Sequence, residues 1–357
     1  MREKLFYYGL VTAVAASAIT HYAGMSAVLQ FCIAGVAIIF VAGFLGKATE
    51  SVAHYAGERI GGFLNATFGN AAELIIAIVL IQKAVNGETH LFDMVKASIT
   101  GSIIGNMLLV LGLSVLAGGL KFKSQHFNIK LAGHNASLMI LAVIALFIPA
   151  VFAKGLTVEH TNTLSIIVSV ILILSYLLWI FFSMVTHKEE LKDHKETTEE
   201  VHSLAPWSLK RSMLFLFIAT VLVGFVSEWL VGTIDQFSAK FGLSELFVGA
   251  FLIAIIGNAA EHSAAIMMAM KNKMGAAVEI AIGSSLQIAL FVAPLLVIIS
   301  FFMGETMNMV FTTYELVAIG VAVFIAKSIS QDGSTNWFEG VLLLVVYVIL
   351  GIAFYLV

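Results

Sequence analysis

The pentapeptide Gly69-Asn70-Ala71-Ala72-Glu73 recurs unchanged as Gly257-Asn258-Ala259-Ala260-Glu261, 188 positions later. Both copies lie in long apolar runs, so each sets a carboxylate far from any hydrophilic loop. A charge at the centre of a bilayer costs at least about 2.5–3.5 kcal/mol on insertion scales, and an acid kept there is a functional group by default. Asn70 and Asn258 stand three residues before Glu73 and Glu261, which puts amide and carboxylate on one helix face. Gly69 and Gly257 allow a close approach, or a local unwinding that frees carbonyl oxygens as ligands.

A second polar pattern follows each pentapeptide. Ser98, Gly101, Ser102, Gly105 and Asn106 fall on one helical stripe, and Gly283, Ser284 and Gln287 form a shorter one with Ser285 to the side. Gly101 and Gly105 also have the GxxxG spacing of packed helices, so the stripe serves packing, ion contact or both. Every one of these groups offers oxygen, and no cysteine or histidine cluster accompanies them. Two carboxylates in an oxygen-only set favour a hard cation, calcium above all, since it accepts six to eight irregular ligands. Asn70, Asn258, Ser102, Asn106, Ser284, Gln287, Gly69 and Gly257 are the expected companions of Glu73 and Glu261. His262 lies about 100° round the helix from Glu261 and reads as a tuning or interhelical residue rather than a direct ligand. Ser98 and Ser285 are secondary candidates. So are Glu50, Glu228 and Glu279, which are either interfacial charges or cation collectors on an entry path. With both glutamates ionised the empty site carries about −2 in a poor dielectric, a costly state that one divalent cation or protons would relieve. Cation and protons compete for the same oxygens. Exchange follows if helices move only when the site is neutralised.

The elements that position these residues follow from composition. Of 357 residues 60% are hydrophobic and 11% charged, and the mean hydropathy is +1.00. A soluble domain carries roughly 25% charged residues, so this is an all-α polytopic membrane protein. The net charge of −3 leaves no basic surface for nucleic acid, and one cysteine, Cys32, excludes a disulfide scaffold. Apolar runs at 5–23, 26–46, 63–84, 91–117, 132–152, 160–186, 208–232, 245–270, 275–303, 308–326 and 335–357 predict about eleven spans. The first reads as a retained helix rather than a signal peptide. With the N-terminus cytoplasmic and the C-terminus outside, only Lys83, Lys96, Lys154 and Lys240 of the 19 basic residues fall outside. The predicted organisation is an N-terminal helix (1–25), a first five-helix repeat (26–186), a linker (187–206) and a second five-helix repeat (207–357). An odd helix number makes the repeats inverted, as in secondary transporters whose sites lie near the midplane. Glu50 and Glu228 echo the symmetry, near the end of the second and seventh helices. The linker HKEELKDHKETTEE is a solvated connector or a regulatory element.

FGNAAE at 68–73, GSIIGN at 101–106, IIGNAAEHSAA at 255–265 and IGSSLQIALFVAP at 282–294 together resemble the calcium/proton antiporters of the cation/proton exchanger family, within the calcium/cation antiporter superfamily. The resemblance spans nearly the whole chain. It implies an eleven-helix inverted-repeat fold and essential glutamates at Glu73 and Glu261, with the polar residues of the fourth and ninth helices near the ion. The linker is similar in place to the family's acidic connector, but is short and mixed in sign. The sodium/calcium branch is less similar, because no proline precedes Glu73 or Glu261. The implied function is exchange of cytoplasmic Ca2+ for protons across the cell membrane. The alternatives are a sodium-driven or manganese-preferring exchanger and, in another class, a calcium channel. No HExxH or GxSxG speaks for an enzyme. Expected partners are Ca2+ and H+ as substrates and the lipid bilayer, without cofactor, and a homo-oligomer is compatible with the sequence.

Overall fold

The computed structural model describes residues 2–187 and 207–357, with side chains for all of these except 2, 57–63 and 65–67. Beyond His187, the linker at 187–206 therefore lies outside the described residues. The described chain is almost wholly helical. In order come α1 (Arg2–Tyr22), α2 (Ala27–Phe68), α3 (Ala71–Val85), α4 (Leu91–Phe122), α5 (Ile129–Phe152), α6 (Val158–Phe181), α7 (Leu209–Val231), α8 (Ile234–Phe241), α9 (Glu245–Met270), α10 (Met274–Met303), α11 (Thr313–Ile329) and α12 (Trp337–Leu356). Eight of them, α2, α4, α5, α6, α7, α9, α10 and α12, are long and apolar enough to cross a membrane by length and composition. The expected spans 5–23, 63–84 and 308–326 fall on α1, α3 and α11, outside that set; α3 and α11 have only 15 and 17 residues.

Helix ends follow local chemistry. Asn128 accepts hydrogen bonds from the amides of Lys130 and Leu131 and starts α5, and Thr157 caps α6 through His160 N. Capping boxes start α11 (Thr312 with Glu315) and α12 (Asn336 with Glu339). Gly242 and Gly304 close α8 and α10 in the left-handed region, with φ of 64° and 110°.

Two boundaries differ from the sequence expectation. The span expected at 63–84 is broken, because α2 runs to Phe68 and α3 starts at Ala71, with Gly69-Asn70 as a turn between them. Glu50 consequently lies inside the 42-residue α2 rather than at a helix end. The span expected at 308–326 starts late, because residues up to Phe311 are not helical. Side chains satisfy that irregular backbone. Ser300 Oγ accepts from Met307 N at 2.9 Å, Ser165 Oγ accepts from Met309 N at 3.0 Å, and Lys96 Nζ donates to Val310 O at 3.1 Å. Away from water, backbone leaves the helix only where protein groups complete its hydrogen bonds.

The chain divides into two compact units, each drawing on both sequence halves. Unit 1 comprises Met1–Val95 and Leu204–Ala260. In it α1 lies along α2, and α2 and α3 pack on α7 around Leu10, Val41, Phe44, Leu45, Ala72 and Val223. Ser51 and Ser212 join α2 to α7 hydroxyl to hydroxyl at 2.7 Å. Unit 2 comprises Lys96–Ser203 and Glu261–Val357. There α10 packs on α6, α11 on α5 and α12 on α4. The α4–α12 contact is glycine-built: a Cβ on Gly340 would lie 2.7 Å from Gly112 O, and one on Gly119 would meet the Trp337 backbone. Strands β1 (Ser124–His126) and β2 (Ser334–Asn336) pair antiparallel, with Gln125 opposite Thr335, and tie the end of α4 to the start of α12.

Candidate functional site

The first pentapeptide lies in unit 1, at the junction of α2 and α3. Asn70 occupies the N-cap position of α3 and is 2% exposed; Glu73, in the first helical turn, is 5% exposed. Negative charge is best tolerated at that end of a helix, where the backbone dipoles add to a partial positive charge. The glycine and asparagine of the second pentapeptide belong to the same unit. A Cβ on Gly257 would sit 3.6 Å from Glu73 Cβ, so α9 passes the glutamate at van der Waals distance. Asn258 is 1% exposed and donates from Nδ2 to Ala254 O at 3.0 Å. Asn70, Glu73, Gly257 and Asn258 thus occur together on α3 and α9. Gly69 is exposed in the turn.

In unit 2 the second glutamate meets the polar stripe of α10 at Ser284. The Glu261 side chain is hydrogen-bonded to that of Ser284, while its Oε2 is buried and meets no hydrogen-bond partner among the described residues. Such an orphaned carboxylate oxygen requires an explanation, and a bound cation or proton supplies one. Ser102 and Asn106 are each 1% exposed, and Asn106 Nδ2 is also buried without a partner. α4 changes to π-helical hydrogen bonding over Gly105–Val110, and α10 does so over Glu279–Gly283 and Ile288–Val292. The α4 segment Gly105–Val110 packs on Glu279–Gly283 and on Ser284–Gln287 of α10. π-turns inside α-helices occur frequently at functional sites, since they rotate the following side chains and loosen carbonyl oxygens. The stripe residues Ser102, Asn106, Ser284 and Gln287 lie within or beside these turns.

The secondary candidates divide. Ser98 and Ser285 are buried, and Ser285 bonds back to Ala281 O at 3.0 Å on its own helix. His262 keeps Nε2 buried without a partner, on the same helix as Glu261. Glu50, Glu228 and Glu279 are exposed; Glu279 carries its carboxylate along α10 towards Gly283, where a Cβ would meet its Oε1 at 3.7 Å.

Two charged clusters went unnoticed in the sequence. Glu315 is 1% exposed and accepts from Thr312 N, Thr312 Oγ1 and Thr100 Oγ1. Its signal was present as the capping spacing Thr312-Thr313-Tyr314-Glu315 inside an apolar run. On the unit 1 surface His90 Nε2 lies 3.5 Å from Asp235 Oδ1 and 4.0 Å from Glu245 Oε1, with Glu88 beside them. No sequence motif links those residues.

The family profile "Sodium/calcium exchanger protein" matches residues 26–185 and 211–356. The chain belongs to that family. This exchanger is 46% identical over 355 residues to the Ca(2+)/H(+) antiporter ChaA of Bacillus subtilis (strain 168), covering 99% of each chain. The solved structure of native YfkE superposes with a TM-score of 0.85 at 44% identity, over 99% of this chain and 100% of that one. The H+/Ca2+ exchanger CAX superposes with a TM-score of 0.76 over 98% of this chain and 92% of that one; at 13% identity it speaks for the fold alone. The exchanger is an integral membrane transporter with the architecture of those proteins.

Proposed function

We propose that this exchanger is a calcium/proton antiporter, which exports cytoplasmic Ca2+ in exchange for protons. The observation that carries the reading is the 46% identity, over essentially the whole of both chains, to a Ca(2+)/H(+) antiporter. Glu73 and Glu261 are assigned as the carriers. Each binds either the cation or a proton, with Asn70 and Asn258 offering further oxygens in the unit of Glu73, and Ser102, Asn106, Ser284 and Gln287 in that of Glu261. Support comes from the burial of Glu73, Asn70, Asn258, Ser102, Asn106 and Ser284 and from the orphaned Oε2 of Glu261. A buried carboxylate that is neutralised in turn by Ca2+ and by protons couples their fluxes in opposite directions. Alternating access then needs only that the ionised, empty state be too costly to cross the membrane.

The same reading places eleven spans in the cell membrane, with the N-terminus cytoplasmic. The deciding experiment is calcium uptake into proteoliposomes of the purified protein, driven by an imposed pH gradient with no sodium present. Uptake that collapses with the gradient and alkalinises the lumen in step supports antiport. Uptake that needs a sodium gradient and ignores pH would overturn it, and so would calcium conductance without proton movement. Cysteine-accessibility mapping from the two faces tests the orientation.

A further inference from the structure

Unit 2 contains a buried charge cluster that the transport chemistry above does not use. Glu315, at the start of α11, is 1% exposed, Lys96 on α4 is 8% exposed, and Thr100 one turn further along α4 is fully buried. The carboxylate accepts from Thr312 N and Thr312 Oγ1 at 2.7 Å each through Oε2, and from Thr100 Oγ1 at 3.3 Å through Oε1. The Lys96 charge acts on the same carboxylate, and Lys96 Nζ also holds Val310 O at 3.1 Å. Two buried ions in an apolar setting are weak evidence for stability, because well-packed hydrophobic residues do as well or better. Their best-attested use is to fix register.

The register concerned is that of α4. Thr100 and Ser102 are two residues apart and so point about 160° away from each other on the helix. Ser98 and Ser102 therefore lie on the side of α4 away from Thr100 and Lys96, and Asn106 follows one turn on, inside the π-helical segment. The π-helical segment starts at Gly105, little more than one turn beyond Thr100. A π-turn loosens the rotation of a helix, so an upstream anchor decides where the following polar groups aim. The anchor is itself rigid: its carboxylate is locked in the α11 capping box, and the irregular stretch before α11 is bonded to α6 and α10 through Ser165 and Ser300.

We propose that Glu315, with Lys96 as its counter-charge and Thr100 as its contact on α4, is a positioning residue for ion binding. It fixes the rotation of α4 and so the direction in which Ser102 and Asn106 present their oxygens. The inference rests on the antiport reading for its cargo, not for its geometry.

The test uses the full-length protein in proteoliposomes, measuring apparent KM for Ca2+, maximal rate and detergent melting temperature together. Glu315→Gln keeps the shape but turns one acceptor oxygen into a donor and removes the carboxylate charge that faces Lys96. Its KM is expected to rise about tenfold, the worth of one hydrogen bond to a charged group, with the maximal rate less affected. Thr100→Val is expected to raise KM by a smaller factor, since its bond to the carboxylate is the longer one. The double variant Lys96→Met/Glu315→Gln removes both charges and is expected to recover melting temperature without recovering KM. A wild-type KM in folded Glu315→Gln and Thr100→Val would overturn the proposal. A KM in the double variant that returns along with its melting temperature would also do so, because the role would then be stability alone. Wild type assayed alongside separates the two failures. Absence of proton-driven uptake in wild type refutes antiport, whereas normal wild-type exchange with unaltered variants refutes the positioning role.

Discussion

Glu261→Gln separates a working carboxylate from a merely buried one. The substitution preserves volume and the bond to Ser284, and it removes the charge together with the chemistry of the orphaned Oε2. Removing one member of a desolvated charge interaction typically costs about 2–5 kcal/mol. For the bound cation that range is about 30-fold to several-thousand-fold in affinity, enough to take uptake to background at ordinary calcium concentrations. Stability should move the other way. A buried, unsatisfied polar atom costs about 1–3 kcal/mol and a charged one more, so a neutral amide is the easier group to bury in the empty protein. The expected result is lost proton-driven calcium uptake in proteoliposomes, with a melting temperature in detergent equal to or above wild type. If Glu261 were instead a neutral acid that only ties helices together, glutamine would replace it and uptake would persist. Uptake within a few-fold of wild type refutes the assignment, as does a variant that loses transport only because it unfolds.

Glu73→Gln should likewise abolish exchange while the protein remains folded, measured by uptake and size-exclusion profile; residual exchange would confine the chemistry to one glutamate. Apparent calcium affinity should fall as pH is lowered on the loading side, because protons occupy the carboxylates that calcium needs. Where they titrate, each competing proton raises KM by up to about tenfold per pH unit, and a pH-independent KM would contradict shared carboxylates. Gly340→Leu should lower yield and melting temperature, since even its Cβ would lie 2.7 Å from Gly112 O, and overpacking costs about 1–3 kcal/mol or more.

The membrane class and the helical architecture were legible because each has a strong sequence signal, and the repeat marked Glu73 and Glu261 as candidates. Apolar runs give helices, and an exact five-residue repeat stands out against 357 residues. What stayed hidden depends on tertiary satisfaction of backbone. Residues 308–311 were read into a span, and only Ser165 and Lys96, distant in sequence, show why they need not be helical. The π-turns are similarly invisible. Gly105 and Gly283 hint at local irregularity, but a glycine in an apolar helix is more commonly a packing residue. Glu315 was passed over although it too is an acid in an apolar run, because it has no repeat partner to draw attention to it. Repetition was the signal that singled out candidates, and Glu315 does not repeat.

The two copies of Gly-Asn-Ala-Ala-Glu show how little that repetition determines locally. In the first, glycine and asparagine form a turn and helix starts at the alanine; in the second, all five residues lie inside the unbroken α9. Identical side chains hold two backbone conformations in one molecule, so the difference between them cannot reside in the pentapeptide. It is imposed by flanking structure: α2 runs uninterrupted up to Gly69, whereas the helix carrying Gly257 begins anew at Glu245 after the turn at Gly242. Intrinsic propensity does not separate the two forms, because glycine and asparagine are poor helix formers in both places and as ready to turn in one as in the other. The flanking elements therefore set which form the motif takes, a turn ahead of α3 or continuous helix within α9.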